Sequence, residues 1–381
     1  MSDETTDTVT DTTGETTGPP ARPSRLGPRL PAFFCPIERD AVHPEAKSVE
    51  ARAVAWLDAF DIYPDPVERA WGLATHSADF SCRIVPRGDP EALLLFVEWN
   101  YWANAVDDWQ DSGADEVSTA AVTEHGARLL RTMENPGAGL LPDGPMTRAL
   151  QDLLERTHAL LTPYELRRFL EGTRDWLLGA AWQSAQAEHR RMPDLNDFAA
   201  LGALANGTRF SLTWSDVAGG VRLPPDVLHA PALQALTDAA GFVVSADNDL
   251  FSYDKDDHVE PREVNLVNVI AHREGRTPAE AVPLAVALRD RVMGLFLRLR
   301  EQLAAGADEA LTRHLEGLGH YVAGSLAWQN RAPRYASPRN RHALPVEGAR
   351  FDIRYADAPS DPEQGPPPLP ALAGWWAHLR E

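Results

Sequence analysis

Between Phe33 and Arg334, apolar residues recur at spacings of three and four along most of the chain, the periodicity of helices with one buried face. The stretches "KSVEARAVAWLDAF", "PEALLLFVEWNYWANAVDDWQD", "VSTAAVTEHGARLLRTM", "MTRALQDLLERTHALL" and "PYELRRFLEGTRDWLLGAAWQSAQAEHRR" all carry it. So do "APALQALTDAAGFVVSADNDLFSY", "EAVPLAVALRDRVMGLFLRLREQLAAG" and "EALTRHLEGLGHYVAGSLAWQNR". Pro, Gly, Asp and Thr punctuate the joins, as in "TPYE" and "RTPAEA". No alternating Val/Ile/Thr-rich run reads as a strand, and no segment repeats. The pattern predicts a single all-α domain over residues 33–335. Residues 1–32 are rich in Thr, Asp, Glu and Pro and read as disordered. Residues 336–381 read as a Pro-rich C-terminal extension or flap, with "PALAGWWAHLRE" at its end suited to dock as a short helix.

Composition narrows the partners. The chain has 381 residues, 44% of them hydrophobic, enough for a core or two packed helical layers. Acidic residues outnumber basic ones, 56 to 36, for a net charge of −20. That balance argues against nucleic acid, whose phosphates demand a basic face. It allows a small anionic substrate if metal ions intervene. Two cysteines, Cys35 and Cys82, build neither a disulfide framework nor a Cys-based zinc site, and a reducing cytoplasm fits. No run of eighteen apolar residues predicts a transmembrane helix, and the first residues lack the basic start and apolar stretch of a signal peptide.

Candidate chemistry starts at "AVDDWQDSG", where Asp107, Asp108 and Asp111 crowd the C-terminal end of an apolar helix. Like charges one turn apart cost roughly 0.2–0.5 kcal/mol, and the helix macrodipole disfavours anions at that end. Either this is a solvated helix end or a cation binds there. Hard divalent ions take carboxylate oxygens, and Mg²⁺ adds waters and substrate phosphates. A second stretch, "SADNDLFSYDKDD", places Asn248, Ser252 and Asp256 at i, i+4 and i+8 on one helix face. An amide oxygen, a hydroxyl and a carboxylate so stacked form neither a core stripe nor an ion-pair ladder; they are three oxygen ligands for one hard cation. A third piece, "NRAPRYASP", offers Arg334 and Tyr335, a guanidinium that forks onto phosphate oxygens and a phenol that adds a hydrogen bond.

In order and spacing these three pieces resemble the motifs of the bacterial class I terpene synthases. The first is similar to that family's aspartate-rich motif, the second to its Asn/Ser/Glu metal motif, the third to its C-terminal Arg-Tyr pair. "FFCPIERDAVHPEA", "NLVNVI" and Trp328, six residues before Arg334, add lesser echoes. The resemblance implies an antiparallel helical barrel around an apolar pocket, with three Mg²⁺ ions (Mn²⁺ being possible) holding a prenyl diphosphate at its mouth. It implies Asp107 as principal metal ligand, with Asp111 in support, and Asn248, Ser252 and Asp256 as ligands of a further ion. It further implies that Lys255, Arg334 and Tyr335 grip the diphosphate and that Asp108 hydrogen-bonds Arg334. The reaction implied is ionisation of the substrate, release of inorganic diphosphate, and cyclisation or deprotonation of the carbocation to a terpene. The protein is expected as a monomer or homodimer.

Four aromatics, Trp99, Phe210, Trp214 and Trp328, are candidates either for the pocket wall or for plain core packing. Two departures from the family pattern stand out. Asp256 occupies the usual place of a glutamate. In "PDLNDFAALGALANGTRF", Gly202 falls where the family carries a diphosphate-sensing arginine, and Arg209, two turns on, is either its substitute or an ordinary surface residue. The "DKDD" at residues 254–257 matches a class II cyclase acid motif but overlaps the second metal motif, and no second DDxxD marks a chain-elongating prenyl transferase. A non-catalytic prenyl-diphosphate-binding homologue is the remaining alternative. Ala103 and Asn104 stand where the resemblance implies bulky aromatics, and Gly202 and Ala205 are also small, so a C20 substrate, geranylgeranyl or copalyl diphosphate, is favoured over the C15 farnesyl diphosphate.

Overall fold

The computed structural model describes residues 30–110, 117–253, 264–337 and 343–380. In chain order its helices are α1 (Ala46–Ala59), α2 (Pro66–Leu73), α3 (Ser77–Ile84), α4 (Pro90–Gln110), α5 (Thr119–Glu134), α6 (Pro145–Leu160), α7 (Pro163–Glu188) and α8 (Leu195–Leu201). They continue as α9 (Thr208–Gly219), α10 (Pro225–Leu228), α11 (Pro231–Phe251), α12 (Leu266–Glu274), α13 (Pro278–Ala304), α14 (Glu309–Arg331), α15 (Pro333–Ala336) and α16 (Pro370–Ala373). The architecture is the expected all-α one. None of the helices is long and apolar enough to cross a membrane.

Local chemistry explains the boundaries. In α7 and α13, Thr162 and Thr277 close capping boxes with Glu165 and Glu280, each with Pro at the first helical position. The helices pack mainly α4 on α1, α6 and α9, α7 on α5 and α9, and α11 on α13 and α14. Two glycines let α7 approach closely. A Cβ on Gly179 would come within 2.4 Å of the Ala205 nitrogen, and one on Gly172 within 2.6 Å of the Phe210 nitrogen. The core behind the site is aromatic: Trp214 stacks on Phe96 at 6.1 Å, and Phe169 lies 5.1 Å from Trp99 and 5.5 Å from Phe210.

One piece departs from a purely helical reading. Phe33–Phe34 (β1) pairs in parallel with Tyr355–Ala356 (β2). The C-terminal segment is docked along the domain. Leu369, Leu372 and Trp376 are buried, the Ala371 amide donates to Asn196 Oδ1, and the Ser360 amide donates to Asp290 Oδ2. Leu30, inside the span read as a tail, is also buried.

Candidate active site

The site is a cavity of about 270 Å³ reached from α3, α4, α7, α9, α11 and α14. Asp107 comes from the last turn of α4 and Asn248 from the last turns of α11, and both line it. Arg334 and Tyr335 reach the same cavity because Pro333 cannot continue α14. A proline disfavours the helical conformation of its predecessor, and Ala332 is accordingly extended at φ −74°, ψ 116°. The chain turns and starts the short α15, fixed by the Arg334 amide donating to the Ala74 carbonyl.

There Arg334 grips Asp108 with both arms, Nη1 to Oδ2 at 2.9 Å and Nη2 to Oδ1 at 2.6 Å. The arginine is buried and the aspartate a quarter exposed. Burial alone would loosen the guanidinium's proton, but the Asp108 carboxylate outweighs it and raises the pKa well above the ordinary value. Arg334 is therefore a permanent cation. Asn248 donates through Nδ2 to the Tyr335 hydroxyl at 3.0 Å, and its Oδ1 is the acceptor of the amide. Ser252, one turn on, is buried at the end of α11, and its amide donates to the Asn248 carbonyl. Tyr335 packs edge-on against Trp328, whose Nε1 donates to the Thr75 carbonyl. Asp111, Lys255 and Asp256 lie outside the described residues.

The remaining candidates divide. Ala103, Asn104, Phe210 and Trp328 line the cavity, as do Gly202 and Ala205. Trp99 and Trp214 do not: both are fully buried, Trp99 against Phe210 with its Nε1 donating to Thr157 Oγ1, and Trp214 against Phe96 and Phe169. They are core residues, one layer too deep for the wall. Arg209 lies elsewhere. It is directed to a surface cluster, 3.0 Å from Asp238 and from Gln234 and 3.4 Å from Asp175, and does not line the cavity. The helix that would have aligned it with the cavity face is broken by a short 3₁₀ turn at Gly202–Leu204 and by Gly207 at φ +65°. Asn206 seals the break, donating to the Gly241 carbonyl and accepting from the Thr208 amide.

Sequence reading missed several lining residues, among them Phe80, Trp176, Asp249, Tyr321 and Gln329. Asp249, next to Asn248, also accepts the Leu266 amide at 2.8 Å and so ties the start of α12 to the site. Among the described residues no group of three or more His, Cys, Asp or Glu side chains gathers as a metal cluster. The oxygen donors brought to this cavity include the Asp107 carboxylate from α4 and the Asn248 amide and Asp249 carboxylate from α11, with the Ser252 hydroxyl a turn beyond. These are hard oxygen ligands of the kind Mg²⁺ accepts alongside substrate phosphates.

The family model "Terpene synthase family 2, C-terminal metal binding" matches residues 98–293, a span that contains both candidate metal segments. The chain is 32% identical over 353 residues to bonnadiene synthase of Allokutzneria albata, covering 91% of this chain and 97% of that protein. It belongs to the terpene synthase family. This class I terpene synthase is also 29% identical over 352 residues to a (+)-T-muurolol synthase of Streptomyces clavuligerus described as cyclising (2E,6E)-farnesyl diphosphate, covering 92% of this chain and 82% of that one. Its fold matches the crystal structure of the SVS_A2 protein from ancestral sequence reconstruction, with a TM-score of 0.78, 34% identity, and 91% and 99% of the two chains covered.

Proposed function

We propose that this terpene synthase ionises a C20 prenyl diphosphate with the help of Mg²⁺ and matures the resulting carbocation in the 270 Å³ cavity. The observation that carries this is convergence. Asp107, Asn248, Arg334 and Tyr335, from separate parts of the chain, meet on one cavity whose lining also carries the aromatics Phe80, Trp176, Phe210 and Trp328. Asp107, Asn248 and Ser252, with Asp111 and Asp256, would hold the metal. Bound there, it supplies Lewis-acid neutralisation of the diphosphate charge.

The chain's own groups do the rest. Arg334, fixed by Asp108, keeps a permanent positive charge where the diphosphate gathers the electron pair of the breaking C–O bond. Tyr335 adds a hydrogen-bond donor, and Lys255 a second cation. The faces of Phe80, Trp176, Phe210 and Trp328 give the carbocation about 0.5–2 kcal/mol each, and the buried walls keep water away. The C20 preference rests on Ala103, Gly202 and Ala205, three small residues on the lining. The reading of C15 farnesyl diphosphate draws on the T-muurolol synthase relative.

The experiment offers geranyl, farnesyl, geranylgeranyl and copalyl diphosphates separately with Mg²⁺, following diphosphate release and hydrocarbon products. The expected outcome is the highest kcat/KM with a C20 substrate, and loss of product formation in Asp107→Ala and Asn248→Ala with the helical fold intact. Higher kcat/KM with farnesyl diphosphate sinks the C20 assignment. Wild-type turnover in both variants sinks the site.

A further inference from the structure

Trp328 and Arg334 reach the cavity from the end of α14 and the turn after it, and one short stretch of chain holds both. The Arg334 amide donates to the Ala74 carbonyl at 3.1 Å, and Trp328 Nε1 donates to the Thr75 carbonyl at 2.7 Å. Ala74 and Thr75 directly follow α2, and α3 already starts at Ser77. The last carbonyls of a helix have no partner within it. Had α2 run on without a break, these two carbonyls would have accepted the amides of residues 78 and 79. The break frees them for the cavity wall.

His76 makes that break, at φ +51°, ψ +45°. Among the described residues Asp61, His76 and Arg190 are the non-glycines with positive φ, and of these His76 alone adjoins a residue on the cavity lining, Ser77. A side chain with a Cβ resists this left-handed conformation, so the surroundings must impose it. Thr75 supplies the hold. It is 1% exposed, and its hydroxyl donates to the Gly72 carbonyl at 2.7 Å on the α2 side. With that proton used, Thr75 Oγ1 accepts from the Ser77 hydroxyl at 2.9 Å on the α3 side. Ser77 Oγ in turn accepts from Asn104 Nδ2 at 3.2 Å. One hydroxyl thus bridges the chain on both sides of the strained residue.

We propose that Thr75 is a positioning residue: its hydroxyl holds the reversal at His76, and the reversal presents the Ala74 and Thr75 carbonyls that set Arg334 and Trp328 in place. This rests on the preceding reading, in which Arg334 meets the leaving diphosphate and Trp328 faces the carbocation. Both tasks depend on angle as well as distance. A guanidinium must point at the oxygen that gains charge, and an aromatic ring stabilises a cation over its face. Trp328 packs on Phe80 and Tyr335, with ring centroids 4.9 and 5.5 Å away. Those contacts are not directional at the indole nitrogen, and the Thr75 carbonyl adds the tie that is.

The test compares wild type with three variants. Thr75→Val keeps the side-chain shape without the hydroxyl, Thr75→Ser keeps the hydroxyl, and His76→Val carries a branched side chain that resists the left-handed conformation. With the preferred prenyl diphosphate and Mg²⁺, kcat, KM and product ratios are measured. In the unliganded protein the Trp328 indole N–H resonance, assigned by its absence in Trp328→Phe, is followed for position and solvent exchange. Thr75→Val and His76→Val should each lose about tenfold in kcat with KM within about threefold, because the displaced groups act as the C–O bond breaks. The share of the main product should fall about threefold in both, as the Trp328 face turns from its place. The indole resonance should shift and exchange faster in both, and Thr75→Ser should restore rate, products and resonance. Unchanged product ratios in Thr75→Val, or an unmoved indole resonance, overturn the proposal while leaving the enzyme reading intact. So does a Thr75→Ser variant that restores none of the three, since the hydroxyl is then not what matters. If Thr75→Val does not fold, His76→Val decides by the same readouts. If wild type releases diphosphate from none of the four substrates, the functional reading falls and this inference falls with it.

Discussion

Two buried arginines in this fold each grip an aspartate with both arms of the guanidinium, and their surroundings differ. Arg289, inside α13, donates to Asp247 from Nε and Nη2 at 2.8 and 2.9 Å, to Asp290 at 3.1 Å, and to the Phe34 carbonyl. It and its two carboxylates are each 1% exposed. Arg334 forks onto Asp108 end-on, through Nη1 and Nη2, but its partner is 26% exposed and the arginine itself lines the cavity. One fork is closed on protein from every side. The other keeps a face toward the place where the diphosphate is proposed to sit. Arginine–aspartate pairing thus serves as a rivet in one region and, on the proposed function, as a working charge in the other, and the difference lies in what else each guanidinium touches.

The strongest way to break this contrast is Arg289→Ala. Removing one partner of a buried pair leaves uncompensated charge and costs about 3–5 kcal/mol, and Asp247 and Asp290 would be left facing each other. Urea unfolding should show that loss, while the fraction that remains folded keeps its diphosphate release. Arg334→Ala should behave in the opposite way. Its turnover should drop by on the order of 10²–10³, as for a lost electrostatic donor at a reacting oxygen. Its stability loss should be smaller, because Asp108 can rehydrate. Arg334→Lys should recover only part of the rate, since the fork is gone. If the two alanine variants show the same balance of stability and activity, the contrast is wrong.

A third pair marks the middle of the range. Glu98 on α4 is buried, and its Oε2 lies 2.5 Å from an Arg156 that is itself one-third exposed. Burial pushes its pKa up to about 7, against the opposing pull of Arg156. A carboxyl raised in the folded state stabilises the fold fully below its unfolded pKa of 4.5 and progressively less as pH climbs to about 7. Melting curves from pH 4 to 8 should therefore show wild type losing ground to Glu98→Gln as pH rises, with the gap levelling above pH 7. A constant gap would mean that Arg156 holds Glu98 ionised throughout.

The smallest effect belongs to Arg209→Ala. Its partners Asp175 and Asp238 are part-exposed, and such pairs are worth about 0–1 kcal/mol. Diphosphate release should change less than twofold. A loss comparable to that of Arg334→Ala would show that Arg209 swings into the cavity during the reaction.

The long helices were legible because each hides a continuous apolar stripe, and Pro with Thr marked where α7 and α13 begin. Shorter α3 and α9 were not, since eight and twelve residues hold too few turns for a periodicity to rise above chance. The motif segments were readable because spacing along a helix fixes which side chains share a face. Depth was not. Trp99 and Phe210 touch each other, yet Phe210 meets the cavity and Trp99 sits behind it, a distinction made by neighbouring helices and not by local sequence. The place of Arg209 stayed open for a related reason: its face could be read only along a continuous helix, and the chain breaks between Gly202 and Gly207.

The pairing of Phe33–Phe34 with Tyr355–Ala356 and the Ser360 amide on Asp290 have a consequence for synthesis. During translation, α11 emerges more than a hundred residues before Trp375, which packs on its Phe242. Until residues up to Trp376 have left the ribosome, Asp290 lacks one of its partners and Phe33 lacks its strand. A nascent chain at that stage has its helices but not its clasp. A stalled or prematurely terminated product would therefore expose apolar surface around Phe251 and Phe351 and become a client for chaperones or proteases. Quality control in this enzyme would read the last forty residues as the seal on everything made before them.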